Sequence, residues 1–334
     1  MAVYMMLGVI ALSGPTPPSA PDGLAHVLRD HGGAEPACAG SGRAAFAAAA
    51  APRPDGAGGP APQPGEALFE TDRALVLADA YLYRAADGTP GPPAAAHIAR
   101  AYERGGAAGL DRIDGDFAFA VYDKIEDRLV ARRDPFGVRP LYVAHRPGAW
   151  YAFASLPESL LEAGLAGRAR DWAASRRQLA SLSPGPDATL LKDVTKLRPG
   201  REAAVDADAV AVSRYYTPAP APDAPKDYPA WSAELKRRFE AAVAKRLPPR
   251  GVVGSHLTSG LDSAGVALTA ARLLPDEQQY IDAYCIAASE EARAFTVDEA
   301  ELAAKVAARS NRVSFTPVRV EPDHEFGFAE ETPD

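Results

Sequence analysis

The sequence is poor in the residues that build covalent or metal-bound frameworks. Its 334 residues include only two cysteines, Cys38 and Cys285, with no C-x-x-C pair and no nearby pair of histidines. This composition excludes a disulfide framework and gives no support to a zinc site. It is typical of a reducing compartment, so we expect a cytoplasmic protein.

Long apolar runs are also missing, because no segment approaches the ~20 apolar residues that a membrane helix needs. Residues 5–12 are apolar and precede a stretch of small residues, as in a secretory signal. However, no Lys or Arg precedes them and Gly8 interrupts the run. We therefore predict a buried first strand here, with a signal peptide as the alternative.

An excess of basic charge is the third absence. The formal net charge is -8 and the isoelectric point is near 5.4. Such a balance provides no field that would concentrate nucleic acid or an anionic membrane. We expect neither as a partner, and we expect chemistry on a small molecule or a peptide.

The length exceeds one typical domain, so we expect two. Residues 217–229 are rich in Pro and Ala and poor in core residues, as in an interdomain linker. This places one domain at 1–216 and a second at 230–334. Residues 32–66 are dominated by Ala, Gly and Pro, and we predict a loose insertion or loop there.

The two predicted domains differ in pattern. Short β-rich runs between residues 74 and 153 are separated by turns, with helices predicted at 97–104 and 156–165. This favours an α/β sandwich of mainly antiparallel sheets. After residue 230, helices alternate with strands at 252–258, 281–287 and 314–320, which predicts a doubly wound parallel α/β domain.

The stretch VVGSHLTSGLDSAGVALTAARLL is the most informative in the chain. The small residues Ser259 and Gly260 permit a tight turn, whose N–H groups and helix N-terminus attract an anion such as pyrophosphate. Asp262 can hold Mg²⁺ against the phosphates, while Thr258 and Ser263 add hydroxyl groups. The alternative is an ordinary strand–turn–helix junction with Ser and Asp capping the helix.

This turn resembles the L-S-G-G-L-D-S pyrophosphate loop of the asparagine synthetase family, with Thr258 and Ser259 in place of Ser and the first Gly. Upstream, DGDFAFAVYD, ARRDPFGVRPLYV and VTKLRPG followed by RYY resemble further signatures of that family in the same order. Downstream, AYCIAA and VDEAELAAKVA occupy the positions of its next strand and helix. The resemblance covers most of residues 74–320.

The resemblance implies an Ntn-hydrolase-like sandwich, which is a class II glutamine amidotransferase-like domain, followed by the first part of an ATP-pyrophosphatase domain. It implies binding of ATP and Mg²⁺, with Asp262 as the metal ligand. The residues implied to bind pyrophosphate and magnesium are Thr258, Ser259, Gly260, Asp262 and Ser263. Leu257 and Ile286 would flank the adenine, with strand core as the alternative. For Arg133, Asp134 and Arg139 the resemblance implies a structural role.

The glutaminase nucleophile of the family is missing. Members that hydrolyse glutamine start with Met-Cys-Gly, whose Cys attacks the amide and uses its own α-amine as base. Here Leu7 stands at that position, and the segments aligned with the glutamine-binding residues, including Ala78 to Ala80, have lost them. Cys38 lies in the Pro/Gly/Ala-rich stretch and is not expected to replace the nucleophile. We therefore expect a non-catalytic first domain.

Loss of glutaminase with retention of the nucleotide loop resembles β-lactam synthetases and lasso-peptide cyclases. It implies adenylation of a carboxylate and attack by an amine, with a peptide or amino-acid carboxylate as substrate and a precursor peptide and its protease as partners. The alternatives are an asparagine synthase, glutamine-hydrolysing or ammonia-dependent, and a non-catalytic fragment. The family's later S-G-E-G-S-D-E motif is not found before Asp334, so we expect a C-terminally truncated chain.

Overall fold

The computed structural model describes residues 4–12, 21–29, 35–50, 64–83, 93–220, 227–248, 251–288 and 298–319. The chain divides into two compact units, and the division between them follows Ala219. Within these ranges, no helix has the length and apolar character that crossing a membrane requires. The predicted limits of the linker, 217–229, stay a prediction.

The first unit is built from two six-stranded sheets and the helices that cover them. Its described strands are β1 (Tyr4–Ala11), β2 (Ala37–Ser41), β3 (Ala44–Ala50), β4 (Leu68–Glu70), β5 (Ala74–Leu82), β6 (Gly115–Asp123), β7 (Arg128–Arg133), β8 (Tyr142–Arg146), β9 (Trp150–Ala154), β10 (Thr195–Lys196), β11 (Arg201–Val205) and β12 (Val210–Arg214). Its described helices are α1 (Pro21–Arg29), α2 (Pro64–Ala67), α3 (Ala94–Gly109), α4 (Pro157–Glu162) and α5 (Trp172–Leu179), with a 3₁₀ turn at Leu110–Arg112.

The two sheets pack face to face between layers of helices. Sheet A has the order β10-β8-β9-β1-β3-β2 and sheet B the order β12-β11-β7-β6-β5-β4, with antiparallel pairing throughout. Side chains alternate between two cores because successive residues of a strand point to opposite faces. Met6 and Ile10 of β1 lie in the core between the sheets, whereas Leu7 and Val9 pack with α1. The predicted α/β sandwich of antiparallel sheets is confirmed.

The prediction of a loose segment over residues 32–66 is wrong for its described part. Strand β3, with the sequence AAFAAAA, is wholly buried and lies between β1 and β2 in sheet A. A segment made almost entirely of alanine does not alternate between apolar and polar residues, so its sequence pattern does not predict a strand. In the fold its small side chains fit between tightly packed layers, and Phe46 supplies the bulk that the segment otherwise lacks. Residues 32–34 and 51–63 lie outside the described residues.

The second unit has three parallel strands and the helices between them. Its described elements are α6 (Tyr228–Arg246), β13 (Val253–His256), α7 (Leu261–Leu273), β14 (Ile281–Ala287), α8 (Glu299–Ala307) and β15 (Val313–Arg319). The strands pair in the order β13-β14-β15, which confirms the predicted parallel α/β arrangement. Ile281, Ala283 and Cys285 are buried with residues of α7 and α8, whereas Tyr284 and Ile286 are exposed on the opposite face.

Candidate functional site

The turn between β13 and α7 is organised by two hydroxyl groups. The hydroxyl oxygens of Thr258 and Ser263 lie 2.8 Å apart. The Thr258 amide donates to Ser263 Oγ at 3.0 Å, and the Gly260 amide donates to Thr258 Oγ1 at 3.1 Å. A Cβ at position 260 would meet Thr258 Oγ1 at 3.2 Å, so a larger residue there would crowd this contact. Hydrogen bonds of these two hydroxyl groups therefore hold Thr258, Gly260 and Ser263 together across the turn.

The N-terminus of α7 opens toward solvent at this turn. Gly260 is its N-cap, with φ -67° and ψ 151°, and has no side chain to accept a hydrogen bond from the first turn of the helix. The first N–H groups of a helix carry partial positive charge, which favours a bound anion. Because glycine provides no capping oxygen, this end of α7 presents its own donors. The geometry suits the phosphate group that the sequence predicts.

Asp262 lies in the first turn of α7 and is exposed. In the part of the chain that the structure describes, no group of three or more His, Cys, Asp or Glu side chains could hold a metal ion. A metal at Asp262 would therefore need phosphate and water oxygens as its other ligands. One carboxylate with phosphate oxygens and water is the donor set that Mg²⁺ takes in nucleotide sites, so the residues present fit a Mg²⁺–nucleotide complex.

The two residues predicted to flank a base differ in exposure. Leu257 is fully buried in the core of the second unit, and its amide donates to the Tyr284 carbonyl at 2.8 Å. Ile286 is 65% exposed near the carboxyl end of β14. Ile286 therefore offers an apolar surface to a ligand, whereas the Leu257 side chain takes the strand-core role that the sequence left as an alternative.

In the first unit, Leu7 lies in the middle of β1 and not at a free end. It is fully buried and is paired with Ala47 of β3 on one side and Ala154 of β9 on the other. Its nitrogen belongs to a peptide bond within the sheet, so it cannot act as an α-amine base. The position therefore offers neither a thiol nor an amine for attack on glutamine.

A buried ion pair lies near the start of β1. The Asp79 carboxylate on β5 accepts a hydrogen bond from the Tyr4 amide at 3.2 Å, and Arg139 Nη1 lies 3.5 Å from Asp79 Oδ2. Burial raises the pKa of Asp79 to about 6 although Arg139 and the Tyr4 amide act in the opposite direction. The sequence interpretation missed this pair. Its one signal was an aspartate inside the apolar run ALVLADAYL.

Cys38 is a poor substitute nucleophile. It is on β2, an edge strand of sheet A, with Sγ 3.6 Å from the Asp22 carboxylate. Partial burial and the neighbouring Asp22 raise the pKa of its thiol. A raised pKa lowers the fraction of thiolate, the form that attacks carbonyl carbon.

The stretch from Arg133 to Arg139 holds a turn together. Arg133 donates to the carbonyl oxygens of Gly137, Arg139 and Leu197. Asp134 is buried and accepts from the amides of Phe136, Val138 and Arg139. These contacts occupy both side chains within the fold, in agreement with the structural role expected for the stretch.

Comparison with known protein families gives two matches along the chain. A model described as "Glutamine amidotransferase domain" matches residues 95–216, and a model described as "Asparagine synthase" matches residues 234–323. They lie in the same order as the two units, and the second includes the turn at Thr258.

Curated relatives agree with these matches. The chain is 32% identical over 186 residues to a putative glutamine-hydrolysing asparagine synthetase of Mycobacterium tuberculosis, covering 53% of this chain and 28% of the relative. It is 30% identical over 165 residues to asparagine synthetase 1 of Saccharomyces cerevisiae, covering 48% of this chain and 23% of the relative. The match therefore spans about a quarter of the length of these relatives.

Solved structures with similarity include the allosteric regulatory enzyme of purine biosynthesis, at 13% identity and a TM-score of 0.44, covering 94% of this chain and 80% of that chain. Another is glutamine phosphoribosylpyrophosphate amidotransferase from Bacillus subtilis, at 13% identity and a TM-score of 0.42, covering 93% of this chain and 80% of that chain.

Proposed function

We propose that this chain, which matches the amidotransferase and asparagine synthase models in that order, is a member of the asparagine synthetase family. It would act in ATP-dependent amide formation, in which a carboxylate is adenylated and then attacked by an amine. The observation that carries this proposal is the T-S-G-L-D-S turn, held by Thr258 and Ser263 at the N-terminus of α7. Residues 1–216 would serve as a degenerate amidotransferase-like scaffold, joined by residues 217–229 to the ATP-using part at 230–334. The use of ATP is consistent with a cytoplasmic protein.

The residues of the turn would each have a different role in binding the nucleotide. The Ser259 backbone and the first N–H groups of α7 would receive the pyrophosphate group, because they present N–H donors. Gly260, whose amide already donates to Thr258 Oγ1, would be the helix N-cap beside that group. Asp262 would bind Mg²⁺, and Thr258 and Ser263 would hold the turn in its binding shape. Bound ATP supplies the AMP group that makes the carboxylate reactive.

The matched relatives favour an asparagine synthase reaction, with an amino-acid carboxylate as acceptor, over the macrolactam formation predicted from the sequence. The buried Leu7 favours an amine that is not made from glutamine in this chain, such as free ammonia. The same observation keeps the lasso-cyclase reaction as a second candidate, because an amine of the substrate itself also needs no glutaminase. That candidate would require a precursor peptide, with its protease, as partner.

Calorimetry with the Asp262→Asn variant tests the nucleotide site. We expect MgATP to bind wild type at least about tenfold more tightly than the variant, since the metal loses a charged ligand. In EDTA the difference should disappear, because ATP without metal gains nothing from Asp262. Glu277→Gln is the matched control, since it removes one exposed negative charge from the loop that follows α7. Equal MgATP affinity in wild type and Asp262→Asn would contradict the assignment.

The amine source is tested with the whole protein. We expect AMP to be released in step with amide when aspartate and ammonium are supplied, and no dependence on glutamine. Amide formed with a peptide alone, as a product lighter by one water, would instead identify the cyclase reaction. Release of ADP in place of AMP would exclude adenylation altogether.

A further inference from the structure

The two sheets of the first unit separate at the edge formed by β8 and β10 of sheet A and by β11 and β12 of sheet B. A cavity of about 390 Å³ opens there. Its floor is apolar and well buried, with Val143, Tyr151 and Leu197 exposed by 8%, 2% and 4%. Volumes in this range are typical of sites for small molecules. The cavity is in the first unit and does not include the turn at Thr258.

The rim of this cavity carries positive charge. Lys196, Arg198 and Arg201 line it, together with one acidic residue, Asp187. Asp187 is already paired with Arg198 at 2.9 Å. Within the described ranges, Lys196 and Arg201 make no ion pair. Two cations therefore stand at the mouth of an apolar cavity without a counter-charge.

A second observation concerns the strand that bears Arg201. In the β11–β12 ladder Arg201 lies directly opposite Arg214. Arg201 shares its side of the strand with Ala203 and Val205, which lie in the core between the sheets, so both arginines are on the cavity side. Like charges directly opposite one another destabilise a strand pair. An anion bound beside Arg201 would relieve that repulsion.

We propose that this cavity binds a small organic anion, whose carboxylate or phosphate group lies between Lys196 and Arg201 and whose apolar body packs on Val143, Tyr151 and Leu197. Arginine and lysine together recognise such groups by charge-assisted hydrogen bonds. Thr195 and His145 supply further polar groups at the rim. The proposal does not depend on the nucleotide site.

The competing explanation is that the cations on the edge strands, Lys196 of β10 and Arg214 of β12, protect sheet edges. β10 and β12 are edge strands, and charged residues on edge strands prevent pairing with other chains. That role requires no ligand and predicts no preference for anions. A binding experiment separates the two explanations.

The probes are phenyl phosphate, phenylacetate and the neutral 2-phenylethanol, titrated against the whole chain by calorimetry and by ligand-observed NMR. We expect at least one anion to bind about tenfold or more tightly than the alcohol, because charge-assisted contacts add to the shared apolar contact. Whether phenyl phosphate or phenylacetate binds more tightly identifies the preferred group, and either order supports the site.

The variant Lys196→Gln with Arg201→Gln should weaken binding of the preferred anion by about tenfold or more. The matched control is Arg100→Gln with Arg176→Gln, which removes two exposed cations from α3 and α5, and its affinity should stay within about twofold of wild type. Val212→Asp, at a position that is 55% exposed on β12 and lines the cavity, should abolish anion binding without lowering the melting temperature, because its carboxylate itself supplies a counter-charge on the side of Arg201. Equal binding of the alcohol, an equal loss in the control, or no binding of any probe would each overturn the proposal.

Discussion

Arg139 and Asp79 form an ion pair across 3.5 Å in the interior of the first unit, where their side chains are 6% and 2% exposed. The pair does not keep the carboxylate acidic, since burial raises the pKa of Asp79 to about 6 from its ordinary 3.8. Desolvation thus outweighs the attraction of the guanidinium group. The native state consequently binds this proton more tightly than the unfolded chain does.

The first prediction follows from the sign of that shift. The contribution of Asp79 to stability is complete below about pH 4 and is lost as the pH rises through about 6. Relative to Asp79→Asn, wild type should therefore lose up to about 3 kcal/mol of unfolding free energy between pH 4 and 7.5. Hydrogen exchange of the β5 amides, corrected for intrinsic rates, measures this difference.

The comparison with Asp79→Asn is needed because two histidines act in the opposite direction. Burial lowers the pKa of His97 and of His145, so their contributions are present at high pH and are lost as the pH falls. Both are common to wild type and variant and cancel in the difference. Parallel pH profiles for the two proteins would show that Asp79 has an ordinary pKa.

The second prediction concerns the close approach of Gly8 to Phe153. A Cβ at position 8 would lie 2.3 Å from Cζ of Phe153, whose ring is fully buried and packs edge-on against Phe46. Gly8→Ala should therefore cost about 1–3 kcal/mol, as overpacked cores do, and thermal unfolding measures it. Adding Phe153→Leu should recover part of the loss. Gly105→Ala, where a Cβ meets nothing within 4 Å, is the control. An unchanged melting temperature for Gly8→Ala would contradict the packing.

The third prediction is that wild type releases no ammonia from glutamine, and that Leu7→Cys does not restore the activity. A thiol at position 7 would lie in the middle of β1, between β3 and β9, without a free α-amine to take its proton. Glutamate formation, measured against a sample without protein, tests both. Glutamate produced by the wild type would mean that another nucleophile is present.

The fourth prediction concerns Asp134, which is 1% exposed and accepts hydrogen bonds from three backbone amides. Asp134→Ala should cost about 2–4 kcal/mol, because it leaves these donors without their acceptor. Asp134→Asn keeps one acceptor oxygen and should cost less. Calorimetry of thermal unfolding ranks wild type and the two variants by stability. An equal loss of unfolding free energy in both variants would contradict a role based on hydrogen bonding.

The strands of the second unit were predicted closely because each is a short apolar run that differs in pattern from the helices beside it. The predicted strand at 281–287 coincides with β14, and the predicted strand at 252–258 contains β13. Strand β3 was missed since seven residues that include six alanines show neither alternation nor high β-propensity. Burial between layers, which only the tertiary fold provides, makes that segment a strand.

The candidate site was predicted in part. The position of the turn at 257–260 follows from its small residues, but the bond between Thr258 and Ser263 depends on how α7 leaves the turn. The Asp79–Arg139 pair joins residues 60 positions apart, and local patterns contain no information about such contacts. The exposed side chain of Ile286 and the buried one of Leu257 likewise depend on which face of the sheet the helices cover.

The pairing of β1 on both sides has a consequence for any processing of the chain before Leu7. An enzyme whose nucleophile is also its terminal amine must have its leader removed and tolerates no added residue before that position. Leu7 is internal to a strand, and Tyr4, three residues before it, already belongs to the sheet. Removal of an initiator methionine therefore cannot place a terminal amine at this position, and cleavage directly before Leu7 would take Tyr4, Met5 and Met6 out of their pairing with β3.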